Sequence, residues 1–140
     1  MKEAELTDAE RLRITEAFER VPYAKLIGIE VGQIERGTAT LHLNIREELK
    51  QNNSIVHGGV IASLLDTAAA FAILTVLEAN ETTTTIDLTI HYLRPLGAGR
   101  ASAHARVLRA GRRVIVVSVE VMDEREALAA TALTSYLRLT

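Results

Sequence analysis

The feature that most restricts how this chain can fold is an apolar stretch of 18 residues, 60–77, that contains a single charged residue, Asp66. A stretch of this length can just cross a bilayer, but a carboxylate near the bilayer centre costs roughly 2.5–3.5 kcal/mol. Ser63, Thr67 and a run of three alanines weaken the apolar driving force further. We therefore predict a long helix that is buried in protein rather than a membrane span.

Segments in which apolar and polar residues alternate lie on both sides of this helix and predict β-strands. The predicted strands cover residues 29–35, 38–45, 85–93, 100–108, 114–122 and 128–139. Gly37 is expected to turn the first strand back onto the second, and short connections predict that the later strands are successive antiparallel neighbours. One apolar helix and about six strands predict an α+β fold in which a curved antiparallel sheet wraps around the helix.

The N-terminal residues add a helix of their own. Thr7-Asp8-Ala9-Glu10 has the form of a capping box, which predicts a helix that runs to about Phe18 and is ended by Pro22. We interpret residues 1–22 as a helical extension of a single domain over residues 1–140, because this length suits one hydrophobic core. The charges near the N-terminus leave no apolar core of a secretory signal, so we expect a cytoplasmic protein.

Composition excludes several kinds of chemistry. The chain has no cysteine, which removes thiol catalysis and thiolate metal sites. His42, His91 and His104 fall on predicted strands at no metal-like spacing, so we expect neither a metal nor a cofactor. A net charge of −2 gives no global attraction to nucleic acid or to an anionic membrane, and we expect neither as a partner.

The residues best suited to catalysis lie where the long helix begins. His57-Gly58-Gly59 places glycine amides at the helix N-terminus, where unpaired N–H groups and the helix dipole can hold a developing oxyanion. Gly58 and Gly59 also allow a substrate to approach the backbone closely. Just before them, the amide side chains of residues 51–53 can orient a thioester or a water through neutral hydrogen bonds.

Asp66 lies eight residues after Gly58, which on a helix corresponds to about 12 Å along the axis. It is the only charged residue between Lys50 and Glu78, so it needs either a partner or a chemical role. One carboxylate cannot reach a carbonyl that is held at the start of its own helix. We therefore predict that two such helices lie antiparallel across a twofold axis, so that Asp66 of one subunit approaches the Gly58 amide of the other and catalysis requires the dimer.

These residues together resemble a known family. His57-Gly58-Gly59, the acid nine residues after the histidine and the strand from Thr85 to Pro95 are similar to the hotdog-fold acyl-CoA thioesterases of the PaaI type. The resemblance covers roughly residues 28–139. It implies a hotdog fold and hydrolysis of an acyl-CoA thioester to free acid and CoA without a metal. We expect a homodimer with active sites at the subunit interface, or a homotetramer.

The resemblance further implies a role for each matching residue. Asp66 would be the nucleophile or general base, and the Gly58 amide would donate to the oxyanion. His57 would be a hydrogen-bonding helper near the thioester, and Thr85 would hold the attacking water.

Two positions of the loop depart from the family's pattern. Gln51 stands where many members have Asn, although a related 4-hydroxybenzoyl-CoA branch has Gln there, so the amide chemistry is retained with a longer reach. Ser54 stands where the family usually has Gly. Asn52 or Asn53 could serve in place of Gln51.

Simpler interpretations remain open for the same residues. Asp66 could be a structural carboxylate that is paired with a neighbouring amide. His57 could only cap the helix, and Thr85 could belong to a β-prone strand without any part in catalysis.

Basic residues are concentrated in one part of the chain. Residues 94–119 hold 6 basic and 0 acidic side chains, and Arg112 and Arg113 lie on a predicted hairpin turn. Arginines on a turn can clamp phosphates, so we predict that Arg112 and Arg113 bind the nucleotide end of coenzyme A. An arginine-rich edge can also serve only to deter strand pairing.

Two other functions compete with hydrolysis. A non-catalytic acyl-CoA binding or sensor module would share the same glycine amides and arginines. A hotdog dehydratase or hydratase is disfavoured, because the His-Phe-Pro arrangement of one such branch is absent and no proline lies between Pro22 and Pro95.

Overall fold

The computed structural model describes residues 4–139, so residues 1–3 and 140 of the predicted domain lie outside the described part. Two short helices are followed by two strands, a 3₁₀ turn, one long helix and four strands. In chain order the elements are α1 (Asp8–Glu19), α2 (Pro22–Ile27), β1 (Ile29–Glu35), β2 (Thr38–Asn44), the 3₁₀ turn (Glu47–Leu49), α3 (Gly58–Leu74), β3 (Thr82–Tyr92), β4 (Arg100–Ala110), β5 (Val114–Met122) and β6 (Leu128–Leu139).

The N-terminal extension is helical, and the predicted capping box is present. Thr7 Oγ1 accepts from the Glu10 amide at 3.1 Å, and Glu10 Oε1 accepts from the Thr7 amide at 2.9 Å. The prediction that Pro22 ends this helix is wrong, because α1 ends at Glu19 and Pro22 begins α2. A proline suits the first position of a helix, since the missing N–H would have no intrahelical acceptor there.

Arg36, in the turn between β1 and β2, ties α1 to the sheet. Its guanidinium lies 2.8 Å from the Glu10 carboxylate. Chiefly through this hydrogen bond, the pKa of Glu10 is lowered to about 2. Apolar contact adds to the attachment, since the rings of Phe18 on α1 and Phe71 on α3 meet edge to face at 5.3 Å between centroids.

The six strands form one antiparallel sheet in the order β1-β2-β4-β5-β6-β3. The expectation that the later strands are all successive neighbours is wrong for β3 and β4. Residues 93–99 carry the chain from an edge to the middle of the sheet, and β3 pairs instead with β6, from Thr82 opposite Leu139 to Tyr92 opposite Ala130. β3 is therefore an edge strand with no partner on its other side in the described chain.

α3 lies against one face of this sheet and packs on all six strands, most extensively on β2, β4 and β5. The alternation of the strands supplies the facing core. On β4 and β5 the buried side chains are Ala101, Ala103, Ala105, Val107, Ile115, Val117, Val119 and Val121. The predicted sheet around a buried helix is confirmed. Over residues 4–139, no helix is long and apolar enough to cross a membrane.

Candidate active site

His57 lies immediately before α3 and caps it. Its Nδ1 accepts a hydrogen bond from the Gly59 amide at 2.8 Å, so the ring proton is on Nε2, and this N–H can still donate. Because the Gly59 amide is occupied, only the Gly58 amide is left as an oxyanion donor in the His-Gly-Gly sequence. The capping interpretation of His57 is confirmed, while its helper role stays a prediction that would use Nε2.

Gly58 is the first residue of α3, and its amide donates no hydrogen bond to any described residue. Its carbonyl oxygen accepts from the Tyr92 hydroxyl at 2.9 Å. A Cβ added at Gly58 would lie 3.4 Å from the Tyr92 ring, so the two residues are in close contact. An unpaired N–H at a helix N-terminus is well placed to hold a carbonyl oxygen.

The loop before α3 forms one wall of a groove beside Gly58. Gln51 Oε1 accepts from the Asn53 amide at 2.5 Å, which leaves the side-chain NH2 of Gln51 for a ligand. The side chains of Asn52 and Asn53 are exposed, and Ser54 has a φ of 64°, the left-handed conformation that favours glycine. The groove has a volume of about 440 Å³ and is lined by Gln51, Ile55, Val56, Gly58, Ile61, Tyr92, Leu93, Arg94, Pro95 and Leu96.

Asp66 lies about two turns further along α3 and is half-buried. Its Oδ1 accepts from Thr85 Oγ1 at 3.0 Å and from the Tyr136 hydroxyl at 2.5 Å. Oδ2 has no hydrogen-bond partner among residues 4–139. Every buried side-chain oxygen in this range has a partner, so Oδ2 is not fully buried and solvent can reach it. Asp66 is therefore held by hydroxyls at one oxygen rather than by an amide, and its second oxygen can still accept a proton or attack.

Tyr136 is buried on β6, directly opposite Thr85 in the register of β3 and β6. Burial, and then the hydrogen bond to Asp66, raise the pKa of Tyr136 far above its usual range. The phenol therefore keeps its proton and acts as a donor. Thr85 donates to Asp66 itself, and its role in holding water stays a prediction.

The two halves of the predicted site do not meet within one protomer. Asp66 and Gly58 lie on one straight run of α3, about 12 Å apart along its axis. Their neighbours on β3, Thr85 and Tyr92, are separated by roughly 20 Å of extended chain with one bulge. A carboxylate and an oxyanion donor from the same chain therefore cannot act on one carbonyl group.

The basic residues do not form one surface. Arg94 lines the groove at Gly58, and Arg100 is paired with Glu30 at 2.8 Å. Arg112 and Arg113 are exposed on the loop at the other end of β4. They line a separate cleft together with Glu78, Asn80, Glu81, Arg138 and Leu139.

Two tyrosines that the sequence pattern does not single out contact the site. Tyr92 is 34 residues from Gly58, and Tyr136 is 70 residues from Asp66. The only sequence signal is that Tyr136 occupies an inward position of an alternating segment, where a buried hydroxyl needs a partner.

Comparison with known proteins identifies relatives of most of the chain. A family model described as the thioesterase superfamily matches residues 53–130. The medium/long-chain acyl-CoA thioesterase YigI of Salmonella typhimurium is 35% identical over 132 residues, which cover 84% of this chain and 85% of that protein. The 1,4-dihydroxy-2-naphthoyl-CoA hydrolase of Listeria monocytogenes is 29% identical over 102 residues, which cover 73% of this chain and 83% of that protein.

Solved structures share the fold. The PaaI protein of E. coli, from the phenylacetic acid degradation operon, superposes with a TM-score of 0.89 at 24% identity and covers 96% of both chains. A mutant of the phenylacetic acid degradation protein PaaI from Thermus thermophilus has a TM-score of 0.78 at 29% identity, with 84% of this chain and 99% of that chain covered. The predicted hotdog fold is therefore confirmed.

Proposed function

The chain belongs to the thioesterase superfamily, and on this premise we propose that it hydrolyses an acyl-CoA thioester to a free acid and CoA. The observation that carries the proposal is the Asp66 carboxylate, which two hydroxyls hold by one oxygen while the other oxygen is not fully buried and has no partner among residues 4–139. It lies on the helix that begins with the unpaired Gly58 amide. The relatives named as an acyl-CoA thioesterase and a naphthoyl-CoA hydrolase support this substrate class.

In the proposed reaction, the Gly58 amide donates to the thioester carbonyl oxygen and stabilises the negative charge that develops there. Asp66 Oδ2 either takes a proton from a water that attacks the carbonyl carbon or attacks that carbon itself. In both routes one water is consumed, the C–S bond breaks, and the sulfur of CoA leaves with a proton. His57 Nε2–H and the Gln51 NH2 are donors that would orient the thioester, and no metal or cofactor takes part.

A second copy of the chain is proposed to pair along β3. This strand has 11 residues and leaves the backbone groups of its outer side without a partner in the described chain. Long unprotected edges favour pairing with another strand. Ile86 and Tyr92 on β3 are 51% and 52% exposed, and Leu93, which follows, is 56% exposed. Strand pairing would satisfy the backbone and cover apolar surface at once.

Antiparallel pairing of two β3 strands would also bring the two halves of the site together. Thr85 marks the Asp66 end of β3, Tyr92 marks the Gly58 end, and the middle of the strand lies between them. A twofold axis through this middle would place Thr85 of one subunit near Tyr92 of the other. Asp66 would then lie beside Gly58 of the partner subunit, and each dimer would hold two identical sites.

Arg112 and Arg113 are proposed to contact the phosphates of CoA from the cleft that they line beside β6. Their guanidinium groups are exposed and match phosphate geometry better than ammonium groups do. A homotetramer and a cytoplasmic location, both expected from the sequence, belong to the same proposal.

Release of the CoA thiol from a panel of acyl-CoA thioesters tests the proposed function. The wild type should release thiol from at least one class of acyl chain. Asp66→Asn keeps the shape and an accepting oxygen but lacks the base, so it should bind the same thioester without turnover. The control is Glu120→Gln, an exposed carboxylate on β5, which should behave as the wild type.

Two outcomes would contradict the proposal in different ways. Hydrolysis by Asp66→Asn at the wild-type rate would exclude the carboxylate mechanism. Binding of acyl-CoA by the wild type without any turnover would instead indicate a sensor or binding module.

A further inference from the structure

Tyr136 contacts the reacting carboxylate but has no part in the reaction as written above. It is only 3% exposed, and its hydroxyl oxygen lies within hydrogen-bond distance of two Asp66 oxygens, Oδ1 (2.5 Å) and the main-chain carbonyl oxygen (2.8 Å). The single phenolic proton is shared between these acceptors, with the shorter contact to Oδ1. The phenol thereby links the side chain and the backbone of the same residue, which restricts rotation of the carboxylate. Thr85, the cross-strand neighbour of Tyr136, adds a second hydroxyl to Oδ1 at 3.0 Å.

The two hydroxyls differ in how constant their contact is. Thr85 is exposed in the single chain and lies beside the proposed shared site, where substrate and water compete for its hydroxyl. Tyr136 is enclosed on β6 between Thr85 of β3 and Ile115 of β5, and its raised pKa keeps the phenol protonated. Tyr136 is therefore the more constant of the two donors to Asp66.

No other titratable side chain within residues 4–139 bonds the Asp66 carboxylate. Asp66 is the only charged residue of α3. On β6, Arg138 is paired with Glu81 at 2.8 Å, and on β3, Asp87 lies on the face of the sheet turned away from α3. The two hydroxyl donors are therefore the groups that act most directly on the direction of the Asp66 carboxylate.

We propose that Tyr136 is a positioning residue, which holds Oδ1 of Asp66 so that Oδ2 faces the substrate as the reacting oxygen. This inference rests on the catalytic role proposed for Asp66. Loss of the hydrogen bond from Tyr136 should therefore affect the chemical step rather than the binding of CoA.

Tyr136→Phe removes the hydroxyl and keeps the buried ring. We expect kcat to fall about tenfold or more with KM little changed, because the hydrogen bond acts on the reacting carboxylate and not on bound CoA. The matched control is Tyr23→Phe, because the Tyr23 hydroxyl also bonds a residue of α3, Ser63 at 2.9 Å, but does not bond Asp66. This control should leave kcat and KM unchanged.

The outcomes separate this inference from the proposed function. A wild-type kcat in Tyr136→Phe would overturn the positioning role and leave the Asp66 mechanism in place. If the wild type releases no thiol, the proposed function fails, and crystal structures of the wild type and of Tyr136→Phe test the contact without substrate. The Asp66 carboxylate should leave its wild-type rotamer in the variant, and an unchanged rotamer would overturn the inference.

A second measurement covers the case in which Tyr136→Phe does not fold. In proton NMR of the wild type, the buried Tyr136 hydroxyl should give a slowly exchanging downfield resonance, because it donates to the Asp66 carboxylate. This resonance should move upfield in Asp66→Asn, where the acceptor is a side-chain amide. An identical resonance in the two proteins would overturn the positioning role.

Discussion

Deleting the amide hydrogen of Gly58 tests the oxyanion donor without disturbing the helix. Gly58 is the first residue of α3, so its amide has no intrahelical acceptor, and proline is well tolerated at such a position. His57 has φ −60° and ψ 135°, a conformation that the residue before a proline readily adopts. Gly58→Pro should therefore fold like the wild type while it lacks the proposed donor.

The expected loss is large enough to be decisive. Removal of one oxyanion donor typically lowers kcat about 10²–10³-fold, or about 2.7–4 kcal/mol of transition-state free energy. The control is Gly58→Ala, which keeps the N–H and adds a Cβ at 3.4 Å from the Tyr92 ring, an ordinary contact distance. Thiol release at saturating acyl-CoA should show a large loss for Gly58→Pro and a small one for Gly58→Ala, at similar thermal unfolding midpoints. Equal losses would refute the assignment of the amide as donor.

The same variant tests whether the site is shared between subunits. Gly58→Pro lacks the donor and Asp66→Asn lacks the carboxylate, so each homodimer alone should be inactive. A mixed dimer has one site with both defects and one site in which both residues are unaltered. When equal amounts of the two variants are unfolded, mixed and refolded, about half of the dimers should be mixed. Because each mixed dimer has one intact site of two, the mixture should recover about a quarter of the wild-type activity. A site built within one subunit would recover none, and that result would refute the shared site.

Three further changes test other parts of the molecule. Replacing Arg112 and Arg113 together by Glu should raise KM for acyl-CoA at least about tenfold with kcat little changed. The control is Arg106→Glu, on the outer face of β4, which should alter neither KM nor kcat. An unchanged KM in the double variant would exclude the phosphate contact. Glu10→Gln should lower the thermal unfolding midpoint at neutral pH. Because the pKa of Glu10 is lowered from 4.5 to about 2 in the folded protein, its stabilising contribution is complete above pH 4.5 and is lost as the pH falls towards 2. The difference between this variant and the wild type should shrink over that range, and a constant difference would contradict the prediction. Ser54→Gly should be tolerated, because Ser54 has a φ of 64°, which glycine adopts without strain. Ser54→Val should lower the free energy of unfolding by about 1–2 kcal/mol in denaturant titrations, because a β-branched residue is strained in this conformation. Equal stability of the two variants would argue against backbone strain at this position.

Local patterns predicted most of the secondary structure correctly. The predicted bounds of β1, β5 and β6 coincide with those observed, and the capping box and the buried helix are present. These features depend on residues only a few positions apart, where caps and periodicity act. The pairing of β3 with β6 could not be predicted in this way, because alternation shows that a segment is a strand but not which strand lies beside it.

In the candidate site too, some features follow from local sequence and others from the packing of distant segments. The sequence by itself determined that one carboxylate, Asp66, and one glycine amide, Gly58, share a helix about 12 Å apart, because counting residues along a helix gives their separation. Only the tertiary structure decided what contacts them: the hydroxyl of Tyr136 comes from 70 residues away and that of Tyr92 from 34 residues away. The sheet order also decided that β3 is an edge strand, which provides the surface where a second subunit is proposed to bind. Contacts of this kind depend on the packing of distant segments, which local periodicity does not record.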